Sequence, residues 1–115
     1  MQLTDNQRRV RIRDLNDTFR KTLDPTLGRV MLTAGVNALP SDVSPMAIRK
    51  VATFDTFAAD NDPHGEHDFG SFDLAGDKFF WKIDYYDRNF EFGSDDPADT
   101  SKTSRVLTLM LAAEY

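Results

Sequence analysis

Residues 69–87, FGSFDLAGDKFFWKIDYYD, decide the fold of this chain. Two runs rich in aromatic and apolar residues flank a glycine-containing turn at residues 75–77, which predicts a β-hairpin. Because side chains alternate between the two faces of a strand, each face of the second arm can be assigned. The face predicted to be core carries Phe79, Trp81, Ile83 and Tyr85. The opposite face carries Phe80, Lys82, Asp84 and Tyr86.

An amphipathic helix is predicted near the start of the chain, from about Asn6 to Leu23, capped by Thr4 or Asp5. Its apolar stripe consists of Ile12, Leu15, Phe19 and Leu23. The remaining faces carry the basic residues Arg8, Arg9, Arg11, Arg13, Arg20 and Lys21. This basic surface is predicted to be solvated, or else to contact nucleic acid or the protein's own acidic residues.

A short strand at residues 29–33 and a second helix are predicted between the first helix and the hairpin. Ser41 or Ser44 can cap this helix, with Pro45 in its first turn, and it is expected to end near Phe57. The terminal run SRVLTLMLAAEY, residues 104–115, could be a strand, but its Ala-Ala-Glu segment favours a helix.

The predicted fold class is therefore α+β, with the order α-β-α-β-β-α. A small, mostly antiparallel sheet of about three strands contains the central hairpin and packs against two or three helices. A chain of 115 residues with 40% hydrophobic content can bury one core, so residues 1–115 are expected to form a single domain.

The composition also bears on the cellular compartment and on membrane association. The chain contains no Cys, which excludes disulfides and thiolate metal sites and agrees with a reducing, cytoplasmic compartment. No window approaches the roughly 18 apolar residues that span a bilayer, so no membrane partner is expected.

Charge is unevenly distributed along the chain, whose net charge is −5. Residues 55–100 contain thirteen acidic and three basic residues, a net charge of −10, whereas residues 1–54 have a net charge of +4. Because phosphate binding depends on Lys and Arg, the acidic residues 55–100 argue against direct nucleic-acid binding. It favours a cation or a basic protein as the partner.

The segment DNDPHGEHD, residues 60–68, gathers four carboxylates and both histidines of the chain, and we call it the acidic loop. Its spacing begins like a calcium loop but has Ser71 where the bidentate Glu should stand. A divalent transition metal remains an alternative cofactor. Its candidate ligands are Asp60, Asp62, His64, His67 and Asp68, with Glu66 beside them.

A purely structural explanation of the acidic loop is a further alternative. Asp and Asn beside Pro and Gly form turns, so the loop could be held by its own side-chain hydrogen bonds and by salt bridges to Arg49, Lys50 or Lys82. The sequence argues against an enzyme and assigns no catalytic residue, since G-x-S-x-G and phosphate-binding glycine motifs do not occur. Lys82 also lacks the acidic residue two positions earlier that a metal-dependent nuclease would need.

A last alternative is an acidic binding surface that imitates a nucleic-acid backbone and occupies the Lys/Arg groove of a basic protein. The partner-binding candidates are Asp60, Asp62, Glu66, Asp68, Asp84, Asp87, Glu91, Asp95 and Asp96.

Five segments together resemble a known family: RIRDLNDTFR, GRVMLTAGV, DNDPHGEHDFG, FFWKIDYYD and RVLTLMLAAEY. The family consists of small bacterial proteins classed as a domain of unknown function, number 3768, and the resemblance covers nearly the whole chain. It implies an association with plasmids and other mobile elements, and it transfers no activity. Small acidic proteins in that setting resemble anti-CRISPR and antirestriction inhibitors, by analogy of setting and charge.

The leading hypothesis from the sequence is therefore an acidic interaction protein, of the counter-defence inhibitor type, that binds a basic, nucleic-acid-binding protein. A divalent-metal protein that uses the acidic loop is the alternative.

Overall fold

The computed structural model describes residues 2–115, which form three α-helices, four strands and a terminal 3₁₀ turn. The helices are α1 (Asp5–Thr22), α2 (Ala34–Asn37) and α3 (Val43–Thr53). The strands are β1 (Gly28–Leu32), β2 (Phe69–Leu74), β3 (Asp77–Tyr86) and β4 (Ser104–Leu111), and the 3₁₀ turn is Ala112–Glu114.

The four strands form one mixed sheet in the order β1-β4-β3-β2. Strands β2 and β3 form the predicted hairpin, β3 pairs with β4 antiparallel, and β1 pairs with β4 in parallel. The α+β class and the central hairpin are confirmed. The sheet differs from the prediction in having four strands and one parallel pair.

The predicted C-terminal helix is wrong, because residues 104–111 form strand β4 between β1 and β3. Leu107 and Leu109 face the core, opposite Ile83 and Trp81 of β3. Pairing on both sides outweighs the helical preference of the Ala-Ala-Glu segment, which forms only the short 3₁₀ turn. The order observed is therefore α-β-α-α-β-β-β.

Helices α1, α2 and α3 contribute to a core on one face of the sheet. Its buried residues are Phe19, Val36, Val43, Ala47, Val51, Phe79, Trp81, Ile83, Leu107 and Leu109. The predicted core face of β3 is confirmed, with Tyr85 only partly buried beside this cluster. Gly70 on β2 lies directly over Trp81, where an added Cβ would come within 2.5 Å of the indole nitrogen.

Helix α1 is found within one residue of its predicted bounds and is capped by Thr4. Helix α3 follows Asp42 rather than Ser41 or Ser44, and its N-cap has no side-chain hydrogen bond. It ends at Thr53, earlier than predicted, because Phe54 turns into an extended conformation and packs edge-on against Trp81. Across residues 2–115, no helix is both long and apolar enough to cross a membrane.

Candidate acidic interaction site

The acidic loop is folded around the carboxylate of Asp62. This side chain is buried and accepts hydrogen bonds from the backbone N–H groups of Glu66 and His67, both at 3.1 Å. Gly65 and His67 have positive φ angles of 67° and 55°, which let the chain curl around the carboxylate. Asp62 therefore shapes the loop.

His67 attaches the acidic loop to helix α1 and to the segment that follows α3. Its Nδ1 lies 3.0 Å from Asp17 Oδ1, and its ring stacks on Phe57 with centroids 3.8 Å apart. Its Nε2 lies 3.7 Å from Asp62 Oδ2. The predicted salt bridges from the loop carboxylates to Arg49, Lys50 or Lys82 do not form within the described chain; the loop is attached instead through His67 and Asp17 of α1.

A buried polar network lies behind the loop, between α1 and the sheet. Asn16 accepts a hydrogen bond from Arg105 Nε at 2.6 Å and donates to the Tyr85 hydroxyl at 2.8 Å and to the Glu66 carbonyl at 3.0 Å. Tyr85 in turn donates to Glu66 Oε1 at 2.7 Å. Burial raises the pKa of Tyr85, so the hydroxyl remains a neutral donor.

Basic residues of α1 are also drawn into the fold. Arg20 is buried, pairs with Asp17 at 3.1 Å and donates to the Val51 carbonyl at 2.8 Å. Near the other end of the helix, Arg8 forms a salt bridge with Asp96. The structure thus contains the predicted contact between the basic helix and the protein's own acidic residues, and part of the helix charge is neutralised within the chain.

Asp68 is the carboxylate of the acidic loop whose charge is opposed by burial and by neighbouring carboxylates. It is half-buried, and no side chain within residues 2–115 donates a hydrogen bond to it. Burial and the neighbouring negative charges of Glu66 and Asp62 raise the pKa of Asp68. The Asp68 carboxyl therefore holds its proton more tightly than a free aspartate does.

The other partner-binding candidates fall into two groups. Asp84 pairs with Lys82 at 3.0 Å, and Asp87 accepts hydrogen bonds from the backbone of its own loop. Asp60, Glu91 and Asp95 are exposed and accept no side-chain or backbone hydrogen bond from the described residues.

These candidates do not share one surface. Asp84 points away from the sheet face that carries Tyr85, whereas Glu66 contacts Tyr85 from the helix side. The acidic loop and Asp84 therefore present their charges in different directions.

The candidate metal ligands do not assemble as a donor set. No group of three or more His, Asp or Glu side chains is placed to hold a metal ion anywhere in residues 2–115. Asp62 is occupied with backbone N–H groups, and His67 lies against Asp17 and Phe57. His64 and Asp60 are exposed on the outside of the loop.

Four residues of this site were not identified from the sequence: Asn16, Asp17, Tyr85 in its polar role, and Arg105. Asn16 falls within the apolar stripe between Ile12 and Phe19, and Arg105 continues the inward-facing alternation of Leu107 and Leu109. A polar residue at a position whose spacing predicts burial would have indicated such a network, because buried polar groups need hydrogen-bond partners.

A family model described as "Protein of unknown function (DUF3768)" matches residues 32–114. The match begins at the last residue of β1, so it includes the acidic loop, the hairpin and β4. No curated protein and no solved structure matches the chain.

Proposed function

Because the chain belongs to this family, whose description gives no activity, we propose a function from its site: an interaction protein that binds a basic protein partner through Asp60, Glu66 and Asp68. The proposal rests on Asp68. This half-buried carboxylate lies near the negative charges of Glu66 and Asp62 and accepts no side-chain hydrogen bond within residues 2–115. A Lys or Arg side chain of the partner would supply the missing cation.

The energetic argument rests on what burial does to a carboxylate. Removing a negative charge from water and placing it near other negative charges raises its free energy. A guanidinium or ammonium group at hydrogen-bond distance would offset that cost and form charge-assisted hydrogen bonds.

The contrast with Asp62 separates a binding role from a purely structural one. Asp62 is saturated by backbone N–H groups and holds the loop in shape, whereas Asp68 accepts no side-chain hydrogen bond from the described chain. The loop thus has a structural carboxylate, Asp62, and, six residues later, a carboxylate that no described side chain pairs with, which supports a binding role for Asp68. Asp60 adds a second, exposed carboxylate to the same loop.

The finer form of the proposal is that the partner is a nucleic-acid-binding protein and that this chain acts as a mobile-element inhibitor of host defence. The −10 charge of residues 55–100 supports it, because carboxylates can compete with phosphates for a Lys/Arg groove. Several of these carboxylates are used within the fold, so the competing surface is centred on the acidic loop.

The test is affinity capture from a bacterial host with the wild-type chain and the double variant Asp60→Asn/Asp68→Asn. We expect a basic protein to bind the wild type, to elute as salt rises past physiological strength, and to be lost from the variant. Added duplex DNA or RNA should release the same protein.

The matched control is Asp42→Asn, which removes an exposed carboxylate that forms no cap hydrogen bond at the start of α3. It should capture the partner as the wild type does. Capture that persists in the double variant, or that is indifferent to salt, would contradict the proposal. If salt releases the captured protein but nucleic acid does not, the proposed interaction stands, and the proposal that the chain inhibits a nucleic-acid-binding protein is rejected.

A further inference from the structure

The outer edge of the sheet at β2 is an open hydrogen-bonding surface. Strand β2 pairs only with β3, and the bond from the Ile83 N–H to the Asp68 carbonyl fixes which residues face that partner. In an antiparallel pair, alternate residues bond to the neighbouring strand. Residues 70, 72 and 74 therefore bond to β3, while the backbone groups of Phe69, Ser71 and Asp73 point outward.

Nothing in residues 2–115 pairs with these outward groups. No backbone hydrogen bond of the loops and turns involves the N–H or C=O of Phe69, Ser71 or Asp73. An unpaired strand edge is a template for another strand, and proteins usually protect such an edge with charge, proline or a covering segment. In β2, Phe72 is partly buried, and Asp73 is the one exposed carboxylate that could protect the edge.

A groove runs between this edge and helix α3. One part, of about 400 Å³, is lined by residues of α3 together with Leu74, and the next, of about 370 Å³, by the segment after α3 together with Ser71 and Phe72. The two parts share Lys50 and Thr53, so they are continuous. A strand edge beside a helix is the arrangement in which extended peptides are bound by strand addition.

The helical wall of the groove is basic and partly apolar. Arg49 and Lys50 are exposed and form no salt bridge with any described residue, and the exposed fraction of Met46 is 48%. Asp55 is the one carboxylate among the lining residues, at the far part of the groove. In a protein of net charge −5, this wall is a local positive surface suited to an acidic ligand.

We infer that the β2–α3 groove binds an extended acidic segment of a partner protein, which adds as a fifth strand beside β2. Its backbone bonds to Phe69, Ser71 and Asp73, and alternate side chains point to α3, where acidic ones meet Arg49 and Lys50. The groove is separate from the acidic loop, so this binding does not depend on Asp68.

A second copy of the chain would fill the edge less well. Pairing two β2 strands would bring no β2 carboxylate to Arg49 and Lys50, because Asp73, the one acidic residue of β2, points to the opposite face of the sheet from α3. Charge complementarity therefore favours an acidic heterologous peptide.

The test uses a fluorescein-labelled eight-residue peptide of alternating Glu and Val, with a matched peptide of alternating Lys and Val. Anisotropy should show binding of the Glu peptide alone. Amide exchange followed by NMR should show new protection at Ser71 and Asp73. Arg49→Glu/Lys50→Glu should weaken binding about tenfold or more, as should Ser71→Pro, which removes an outward N–H.

Lys21→Glu, on the exposed last turn of α1, is the charge control and should leave the affinity unchanged, as should Asp60→Asn/Asp68→Asn. Failure of the Glu peptide to protect Ser71 at about 1 mM, where weak complexes are populated, would overturn the inference. Equal binding of the Lys peptide would also overturn it. A dimer that protects Ser71 without peptide and is abolished by Ser71→Pro would assign the edge to self-association instead.

Discussion

Asp62 and Asp68 belong to the same loop but differ in how the fold treats their charge. Backbone N–H groups satisfy Asp62, whereas burial and nearby carboxylates raise the pKa of Asp68. The sequence shows both as equivalent aspartates in a turn-forming segment. Only the tertiary fold distinguishes them, because it surrounds Asp62 with backbone N–H groups and leaves Asp68 half-buried beside Glu66 and Asp62.

Asp68→Asn should stabilise the free protein at neutral pH. With a raised pKa, the folded state binds the Asp68 proton more tightly than the unfolded state, so the free energy of unfolding falls as pH rises above 3.8, the ordinary value. The gain should be on the order of 0.5 kcal/mol, because solvent screens this half-exposed group.

The melting temperatures of the wild type and the variant should differ at pH 7 and converge as the pH falls below 3.8, where Asp68 is protonated in both the folded and the unfolded state. A variant less stable than the wild type at pH 7 would contradict the assignment of Asp68 as an unsatisfied charge. Combined with loss of partner capture, a stabilised variant is the pattern of a binding residue maintained at the expense of stability.

Tyr85→Phe should destabilise the protein by about 1–2 kcal/mol, because it removes the donor to Glu66 and the acceptor for Asn16 inside the buried network. Urea denaturation would measure the loss. Tyr86→Phe is the matched control, since the Tyr86 hydroxyl forms no hydrogen bond with any described residue; its change should be small. Equal effects of the two variants would mean that the network does not stabilise the fold.

Among the helices and strands, those specified by neighbouring residues are predicted correctly from the sequence, and the strand specified by distant residues is not. Helix α1 was located from its apolar stripe and its cap, which are features of neighbouring residues. Strand β4 was assigned as helix, because its environment comes from β1 and β3, which lie far away in the sequence. Central strands with near-continuous apolar runs resemble buried helices when read alone.

Thr4→Ala should lower stability by about 1 kcal/mol through the loss of the capping box of α1. The Thr4 hydroxyl accepts from the Gln7 N–H at 3.1 Å, and the Thr4 N–H donates to Gln7 Oε1 at 2.9 Å. Thr53→Ala in the last turn of α3 is the control, because its hydroxyl only bonds back to the Arg49 carbonyl. Chemical denaturation that fails to separate the two would reject the cap as a stabilising element.

At the scale of the whole molecule, the acidic charge seen in the sequence is partly consumed within the fold. Asp96 pairs with Arg8, Asp84 pairs with Lys82, and Asp62 is buried. Within the acidic loop Asp60 stays exposed and Asp68 half-buried, while Arg49 and Lys50 make the α3 wall of the β2–α3 groove positive. The molecule therefore presents two surfaces of opposite sign, which the net charge of −5 conceals.

Removal of divalent metals should leave the melting temperature unchanged, because the described donors do not form a group suited to a metal ion and Asp62 is already bonded to backbone. Tag-free protein should be melted with and without EDTA. A lower melting temperature in EDTA that added Zn²⁺ restores would reinstate the acidic loop as a metal site, since a ligand that binds the folded state stabilises it.

The sequence by itself determined the hairpin, the core face of β3, helix α1 and the concentration of charge in residues 60–68, because each depends on periodicity or turn chemistry within a short span. Only the tertiary structure placed β4 between β1 and β3, brought Asn16 and Asp17 to the acidic loop, separated the roles of Asp62 and Asp68, and left the edge of β2 open beside α3. Those features arise from contacts between residues distant in sequence, where burial and partners, rather than residue type, decide what a side chain does.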